Sequence, residues 1–334
     1  MTRIGVLGAG TWGMALARML ANSGVEVTVW SALAAEIDNL VKTGVHPNLT
    51  YMELPKSIKY TKDLGELCND KDVLLFAVPS VFVRSTAKSA AEFIKDGQII
   101  VDVAKGIEPD TLFTMTEVID DAIHEVKPEL NVKLVALSGP THAEEVARDL
   151  PTTIVSACED SKTAAYVQDV FFNTCMRVYT NSDVKGVELC GAMKNIIALA
   201  AGITAGIGYG DNAKAALITR GMAEITRLGT AMGCKSSTFY GLAGIGDLIV
   251  TATSVHSRNN KAGFLIGSGK SPKEAIAEVG MVVEGINAIP AAMELMQKYN
   301  VEMPIIEKIN EVINCGLDPK QAVMELMARD KKEE

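Results

Sequence analysis

Read for the spacing of apolar and polar positions, the chain falls into two halves of different character. The first half carries continuous apolar runs at residues 4–7, 25–30, 73–78, 99–103 and 134–138, with further strands expected at 152–157 and around 177–179. Runs rich in Val and Ile, without polar alternation, suit strands covered on both faces of a parallel sheet. The segments between them read as helices or short loops. This half therefore predicts a doubly wound α/β domain, with ligands at the carboxyl ends of its strands. After about Ser182 the period changes, and helical spacing runs through 184–205, 214–232, 259–267, 271–279, 285–298, 303–314 and 319–328. Pro304 and Pro319 fall where helices would begin, which suits a first-turn proline. The expected division is 1–183, α/β, and 184–334, all-α. Residues 329–334 form a mixed-charge tail expected to fray.

The first strand runs straight into Gly8-Ala9-Gly10-Thr11-Trp12-Gly13, and a helical pattern over 14–22 follows at once. In such a turn Gly8 permits the tight bend and Gly10 lets the backbone approach a pyrophosphate. Gly13 lets helix and strand pack closely, and the helix start offers free N–H groups to the anion. A bare G-x-G-x-x-G can be a tight structural turn. Here a strand precedes it, a helix follows, and a second strand comes at the expected distance, so the expectation is a Rossmann-type dinucleotide site.

Composition narrows the partners. The 334 residues are 48% hydrophobic and 22% charged, an ordinary globular balance, with a net charge of −9. That charge argues against a general nucleic-acid or anionic-membrane binder and leaves room for a local anion trap. The six cysteines (68, 158, 175, 190, 234, 315) are scattered without metal-ligand spacing, so no metal is expected and reduced thiols in the cytoplasm are the plain reading. The N-terminus enters a strand within a few residues, leaving no room for a signal peptide. The most apolar stretch, 196–210, is bounded by Lys194 and Asp211, too short to span a bilayer, and reads as a buried helix.

Several charged residues sit where charge is expensive. Lys194 lies in an otherwise apolar helix, with small Gly191 and Ala198 nearby on its face. Desolvation would lower its pKa and suit it to donate and accept a proton near neutral pH; the alternative is a lysine that snorkels to solvent. Lys105 and the Ser138-Gly139-Pro140-Thr141-His142-Ala143 turn each follow a parallel strand, on the ligand side of such a sheet. Lys105 could equally be an exposed loop lysine, and His142 reads as a surface residue. Asp247 lies in a glycine-rich apolar segment, where a buried carboxylate needs a partner such as a lysine. Ser257-Arg258-Asn259, just before a helix, offers a guanidinium fork and capping groups to a phosphate or carboxylate, or is an ordinary N-cap. Together these predict hydride transfer between a nicotinamide dinucleotide on the first domain and a small phosphorylated ketone or alcohol in a cleft with the second.

The chain resembles the NAD(P)-dependent sn-glycerol-3-phosphate dehydrogenases of the bacterial soluble type. The likeness runs through the glycine turn, Val78-Pro79-Ser80, Ala104-Lys105-Gly106, Ser138-Gly139-Pro140 and the segment from Glu188 to Asn195. It continues through Gly244-Ile245-Gly246-Asp247-Leu248, Ser257-Arg258-Asn259 and Val282-Val283-Glu284-Gly285, so essentially the whole chain is covered in order. The resemblance implies interconversion of dihydroxyacetone phosphate and sn-glycerol 3-phosphate, feeding phospholipid synthesis, by a cytoplasmic homodimer with an all-helical C-terminal domain. It implies Lys194 as proton donor and acceptor with Asp247 and Lys105 nearby, and Thr251 at the substrate. It further implies Ser257, Arg258 and Asn259 at the phosphate, and Gly139 and Thr141 on the substrate side. Thr11, Trp12, Ala143, Arg258, Val282 and Glu284 would touch the dinucleotide, together with Gly8, Gly10, Gly13, Ser31, Ala32 and Lys105.

One place departs from the family. Many members carry a basic residue just after the second strand, against the 2′-phosphate of NADP; here the chain reads Trp30-Ser31-Ala32-Leu33. No acidic residue stands there either, so either coenzyme fits, with a lean to NAD. A 2′-phosphate without a cation forgoes a charge-assisted hydrogen bond worth about 1.5–3 kcal/mol. Two other classes compete: a dehydrogenase of the 6-phosphogluconate or ketopantoate type, which would need a different anion trap, and a nucleotide-sensing regulator, which would need a partner-binding module.

Overall fold

Strand alternation organises the N-terminal half. In a computed structural model that describes residues 1–331 and 333, β1 (Arg3–Leu7), β2 (Glu26–Trp30), β3 (Lys59–Thr61), β4 (Val73–Phe76), β5 (Gln98–Asp102), β6 (Val132–Ser138), β7 (Thr152–Ala157) and β8 (Met176–Asn181) form one sheet. Its order is β3-β2-β1-β4-β5-β6-β7-β8. The intervening helices are α1 (Thr11–Asn22), α2 (Ala34–Thr43), α3 (Leu64–Cys68), α4 (Val83–Ala91), α5 (Met115–Val126), α6 (Ala143–Val146) and α7 (Ser161–Val170). Successive strand residues face opposite cores. Ile4, Val6, Val73 and Leu75 pack with Met14, Leu16, Ile37 and Val167 from α1, α2 and α7. Leu7, Leu74 and Phe76 pack with Leu67, Val83, Ala87 and Ile119 from α3, α4 and α5. Helices on both faces are why the strands read as unbroken apolar runs.

Two features depart from the sequence expectation. β3 has three residues on the sheet edge, too short and polar to give an apolar run. β6 and β7 pair antiparallel, Ala136 opposite Ala157, while every other pair is parallel. The link between them, residues 139–151, holds only the single-turn α6.

Helices make up the rest: α8 (Val184–Ile207), α9 (Asp211–Ala231), α10 (Ser236–Phe239), α11 (Asp247–Thr253), α12 (Arg258–Gly267), α13 (Pro272–Val279), α14 (Glu284–Asn287), α15 (Ile289–Tyr299), α16 (Pro304–Asn314) and α17 (Pro319–Met327). Pro304 and Pro319 open their helices. The pattern over 285–298 is two helices, broken at Ala288. Segment 236–253, which carries no helical expectation, holds α10, a π turn at Leu242–Gly246 and α11. Of the 329–334 tail, Lys332 and Glu334 lie outside the described residues.

The chain divides into two units, one of Met1–Glu108 with Phe113–Glu188, the other of Pro109–Leu112 with Leu189–Glu334. Helix α8 begins in the first and continues through the second. Its 24 residues make it long and apolar enough to cross a membrane by length and composition, so shortness is not what distinguishes it. Burial is: 83% of its most apolar stretch is inside the fold, the position of a core helix. Its small residues bring α12 into backbone contact. A Cβ on Gly202 would lie 2.1 Å from the Asn260 carbonyl oxygen, and one on Gly263 2.0 Å from that of Leu199.

Candidate functional site

In the first unit the site begins at the turn between β1 and α1. Gly8 has φ +118°, and a Cβ there would stand 2.7 Å from the Ala77 carbonyl oxygen. A Cβ on Gly13 would stand 2.3 Å from the Gly8 carbonyl oxygen, so turn and helix close only with hydrogen at that position. Gly10 caps α1 without any side-chain hydrogen bond, and a Cβ there meets nothing within 4 Å. The helix ladder starts with the Met14 amide donating to the Gly10 carbonyl. The amides of Thr11, Trp12 and Gly13 are therefore left without an intrahelical acceptor, beside open space. This arrangement fits a dinucleotide pyrophosphate.

The neighbouring strand ends supply side chains. The Lys105 ammonium, past β5, donates to the Gly139 carbonyl at 3.1 Å, and the Thr141 hydroxyl donates to the same oxygen at 3.1 Å. Lys105, Gly139 and Thr141 thus form one cluster, with Ala143 opening α6 just beyond. A Cβ on Gly106 would press within 2.4 Å of the Ser80 Cβ, which accounts for the small residues in both loops. Thr11 accepts a hydrogen bond from the Asn48 amide at 3.0 Å, and Trp12 packs against the sheet core. Past β2, Ala32 is exposed and Ser31 is buried. The Ser31 hydroxyl donates to Glu36 Oε2 at 2.5 Å. Sequence reasoning found no acid at this place because Glu36 stands five residues on, in the first turn of α2, which folds it back.

The same unit buries two acids that spacing did not reveal. Glu188, at the start of α8, accepts hydrogen bonds from the Thr116 amide at 2.8 Å and from the Thr116 hydroxyl, holding the first turn of α5. Burial raises its carboxyl to about 7 against the pull of those donors. Asp102 ends β5 only 2% exposed. Burial and then the charge of Glu188 push its carboxyl well above the usual range, while the Ala104 and Val103 amides act the other way. Glu188 was visible only as part of a motif.

In the second unit the side chains come from distant parts of the sequence. The Lys194 ammonium, on α8, donates to Asp247 Oδ1 at 2.6 Å and to the Thr251 hydroxyl at 2.5 Å, both on α11. The Lys194 and Asp247 side chains are 5% and 1% exposed. Such a buried pair is sustained by its mutual attraction and added hydrogen bonds; removing either partner strands a charge. Beside it, the Asn259 amide donates to Asn195 Oδ1 at 3.0 Å and its oxygen accepts from the Gly285 amide at 2.8 Å. Asn195 and Asn260, unremarked as site residues, secure the start of α12: the Asn260 amide donates to the Ala252 carbonyl at 2.8 Å. Ser257 caps α12 by accepting from the Asn260 amide at 3.2 Å. Arg258, the first residue of α12, is exposed, while Val282 and Glu284 come just before Gly285 in the chain. Positions 194 and 258 are thus tied together through their immediate neighbours. Among the described residues no group of three His, Cys, Asp or Glu is placed to hold a metal.

A glycine-turn sheet with a free helix start, joined to a helical unit built around a buried Lys–Asp–Thr cluster, defines a two-unit dinucleotide-dependent dehydrogenase. Residues 3–164 match the family model for the NAD-dependent glycerol-3-phosphate dehydrogenase N-terminus, and residues 183–324 that for its C-terminus. The chain belongs to this family. It is 68% identical to glycerol-3-phosphate dehydrogenase [NAD(P)+] 2 of Lactobacillus delbrueckii subsp. bulgaricus, over 100% of this chain and 99% of that protein. It is 53% identical to glycerol-3-phosphate dehydrogenase [NAD(P)+] of Agathobacter rectalis, over 99% and 97%. The crystal structure of glycerol-3-phosphate dehydrogenase from Coxiella burnetii superposes with a TM-score of 0.91 at 35% identity, over 98% of this chain and 99% of that one.

Proposed function

We infer that this chain is an NAD(P)-dependent oxidoreductase acting on the CH–OH group of sn-glycerol 3-phosphate, interconverting it with dihydroxyacetone phosphate for glycerophospholipid synthesis. The observation that carries the chemistry is the buried Lys194–Asp247–Thr251 cluster beside the start of α12. When bound, the dinucleotide supplies or takes the hydride. The Lys194 ammonium gives a proton to the oxygen of the ketone as it is reduced and recovers it in the reverse direction. Asp247 holds that ammonium in place, and the Thr251 hydroxyl fixes its direction. Arg258 and the amides of the first turn of α12, capped by Ser257, bind the phosphate, with Asn259 setting the helix start rigidly.

In the first unit the glycine turn with Thr11 and Trp12 holds the pyrophosphate, and Ser31 and Ala32 face the adenosine ribose. Ala143, Val282 and Glu284 complete the dinucleotide contacts, and Lys105 with Gly139 and Thr141 serves the substrate side. The division at 1–183 and 184–334 assigns dinucleotide binding to the first part and substrate binding with catalysis to the second. The working form is a cytoplasmic homodimer; the scattered spacing of the six cysteines supports that compartment. The family match of both halves disfavours the ketopantoate, 6-phosphogluconate and regulator readings. Steady-state assays with dihydroxyacetone phosphate, unphosphorylated dihydroxyacetone, 2-ketopantoate and 6-phosphogluconate test this directly. Efficient turnover of dihydroxyacetone phosphate, with only weak turnover of its unphosphorylated form and none of either acid, is the expected result, and turnover of either acid in its place overturns the reading.

A further inference from the structure

We propose that Glu36, held by Ser31, sets coenzyme choice toward NAD by presenting a carboxylate where the 2′-phosphate of NADP would lie. The inference rests on the reading of the first unit as the dinucleotide-binding part. Ser31 is the first residue past β2, and the preceding Trp30 carbonyl accepts from the Gly8 amide at 2.8 Å, so the strand end and the glycine turn are directly joined. In doubly wound dinucleotide domains the adenosine ribose lies at this strand end. The Ser31 hydroxyl is fixed on both sides: it donates to Glu36 Oε2 at 2.5 Å and accepts from the Leu33 amide at 3.1 Å. A carboxylate normally stands at the strand end itself. Here the third residue of α2 reaches back to a buried serine and delivers the same charge.

The other charges around this point do not reverse it. Lys62, just past β3, pairs with Asp38 on α2 at 2.5 Å. His46, which hydrogen-bonds the Ala9 backbone, is buried and held below its usual titration range, so it brings no cation at neutral pH. Glu36, Asp38, Lys62 and neutral His46 sum to one negative charge. A ribose 2′-hydroxyl can donate a hydrogen bond to Glu36. A 2′-phosphate is a dianion near neutral pH with no proton to share, and it would face that carboxylate or have to displace it from Ser31.

The test is equilibrium titration of the full-length protein with NADH and with NADPH, followed by nucleotide fluorescence, without any substrate. Wild type is expected to bind NADH at least tenfold more tightly than NADPH. Glu36→Gln keeps size and the hydrogen bond to Ser31 and should cut the NADPH/NADH Kd ratio about tenfold, mainly by tightening NADPH. Glu36→Arg should invert the preference, and Ser31→Ala, which frees the carboxylate, should narrow it. Glu36 is on the surface, so these variants should fold; unchanged thermal unfolding checks that. A ratio unaltered by Glu36→Gln and Glu36→Arg overturns the proposal while leaving the dinucleotide reading intact. Absence of binding of either coenzyme to wild type would instead sink the dinucleotide reading and the proposal with it.

Discussion

The sites proposed for the two units are built by different means. In the first, the anion site is made almost wholly of backbone: Gly8, Gly10 and Gly13 are there for what they lack, and the donors are the free amides of α1. In the second, the site is made of side chains. Lys194 meets Asp247 and Thr251 across 53 and 57 residues of sequence, and Asn259 meets Asn195 across 64. A backbone site needs only a local turn and is written in a few adjacent residues. A side-chain site depends on how whole helices pack, and here that packing is set by glycines that bring α8 and α12 into backbone contact.

The sharpest way to separate the two is Lys194→Ala. Loss of a positioned proton donor costs about 10²–10⁴ in rate. The variant should lose that much kcat with dihydroxyacetone phosphate while its Kd for NADH stays within about twofold. A comparable loss in both would make Lys194 a structural residue and erase the contrast. In the first unit the matching pair is Gly13→Ala and Gly10→Ala. The Gly13 methyl would collide with backbone, so that variant should lose about 1–3 kcal/mol of stability along with coenzyme affinity. The Gly10 methyl meets no protein atom, so that variant should keep its melting temperature and lose affinity alone. Equal melting temperatures for the two would contradict a turn closed by Gly13.

This contrast also explains what the sequence disclosed. The sheet was readable because helices cover both its faces and leave its strands uniformly apolar, whereas β3, on the edge, left no such trace. The antiparallel turn from β6 into β7 was hidden, since pairing direction is set by the connection and not by strand composition. The glycine turn was legible in full. For the helical unit, burial flagged Lys194 and called for a lysine beside Asp247, and the family resemblance put the two together. Glu36 escaped because a helix turn, not the strand, carries it to Ser31.

Arg258→Ala tests the helical unit at a smaller scale. A charge-assisted hydrogen bond is worth about 1.5–3 kcal/mol, so KM for dihydroxyacetone phosphate should rise about 10- to 100-fold. KM for unphosphorylated dihydroxyacetone should be nearly unaffected. Equal damage to both substrates would show that the guanidinium holds something other than phosphate.

The smallest effect compares the units through one device that each contains. Glu188 holds the first turn of α5, and Glu224 holds that of α16 by accepting from the Ile305 amide at 3.0 Å and the Ile306 amide. Burial raises both carboxyls from 4.5 to about 7, although Arg227 and Arg329 pull Glu224 down and Glu117 helps push Glu188 up. With the folded value above the unfolded one, the native state holds protons that the unfolded chain releases. Each group's contribution is therefore fully present below about pH 4.5, declines as pH rises to about 7, and is level beyond. Between pH 6 and 8 the decline is about 1 kcal/mol per group, a few degrees in melting temperature. Glu224→Gln, which can still accept from the α16 amides, should flatten its share of that slope and leave the share from Glu188 and neighbouring Asp102. If Glu224→Gln melts with the same pH dependence as wild type, the carboxyl is ionised in the fold and its desolvation is met by the helix start and the two arginines.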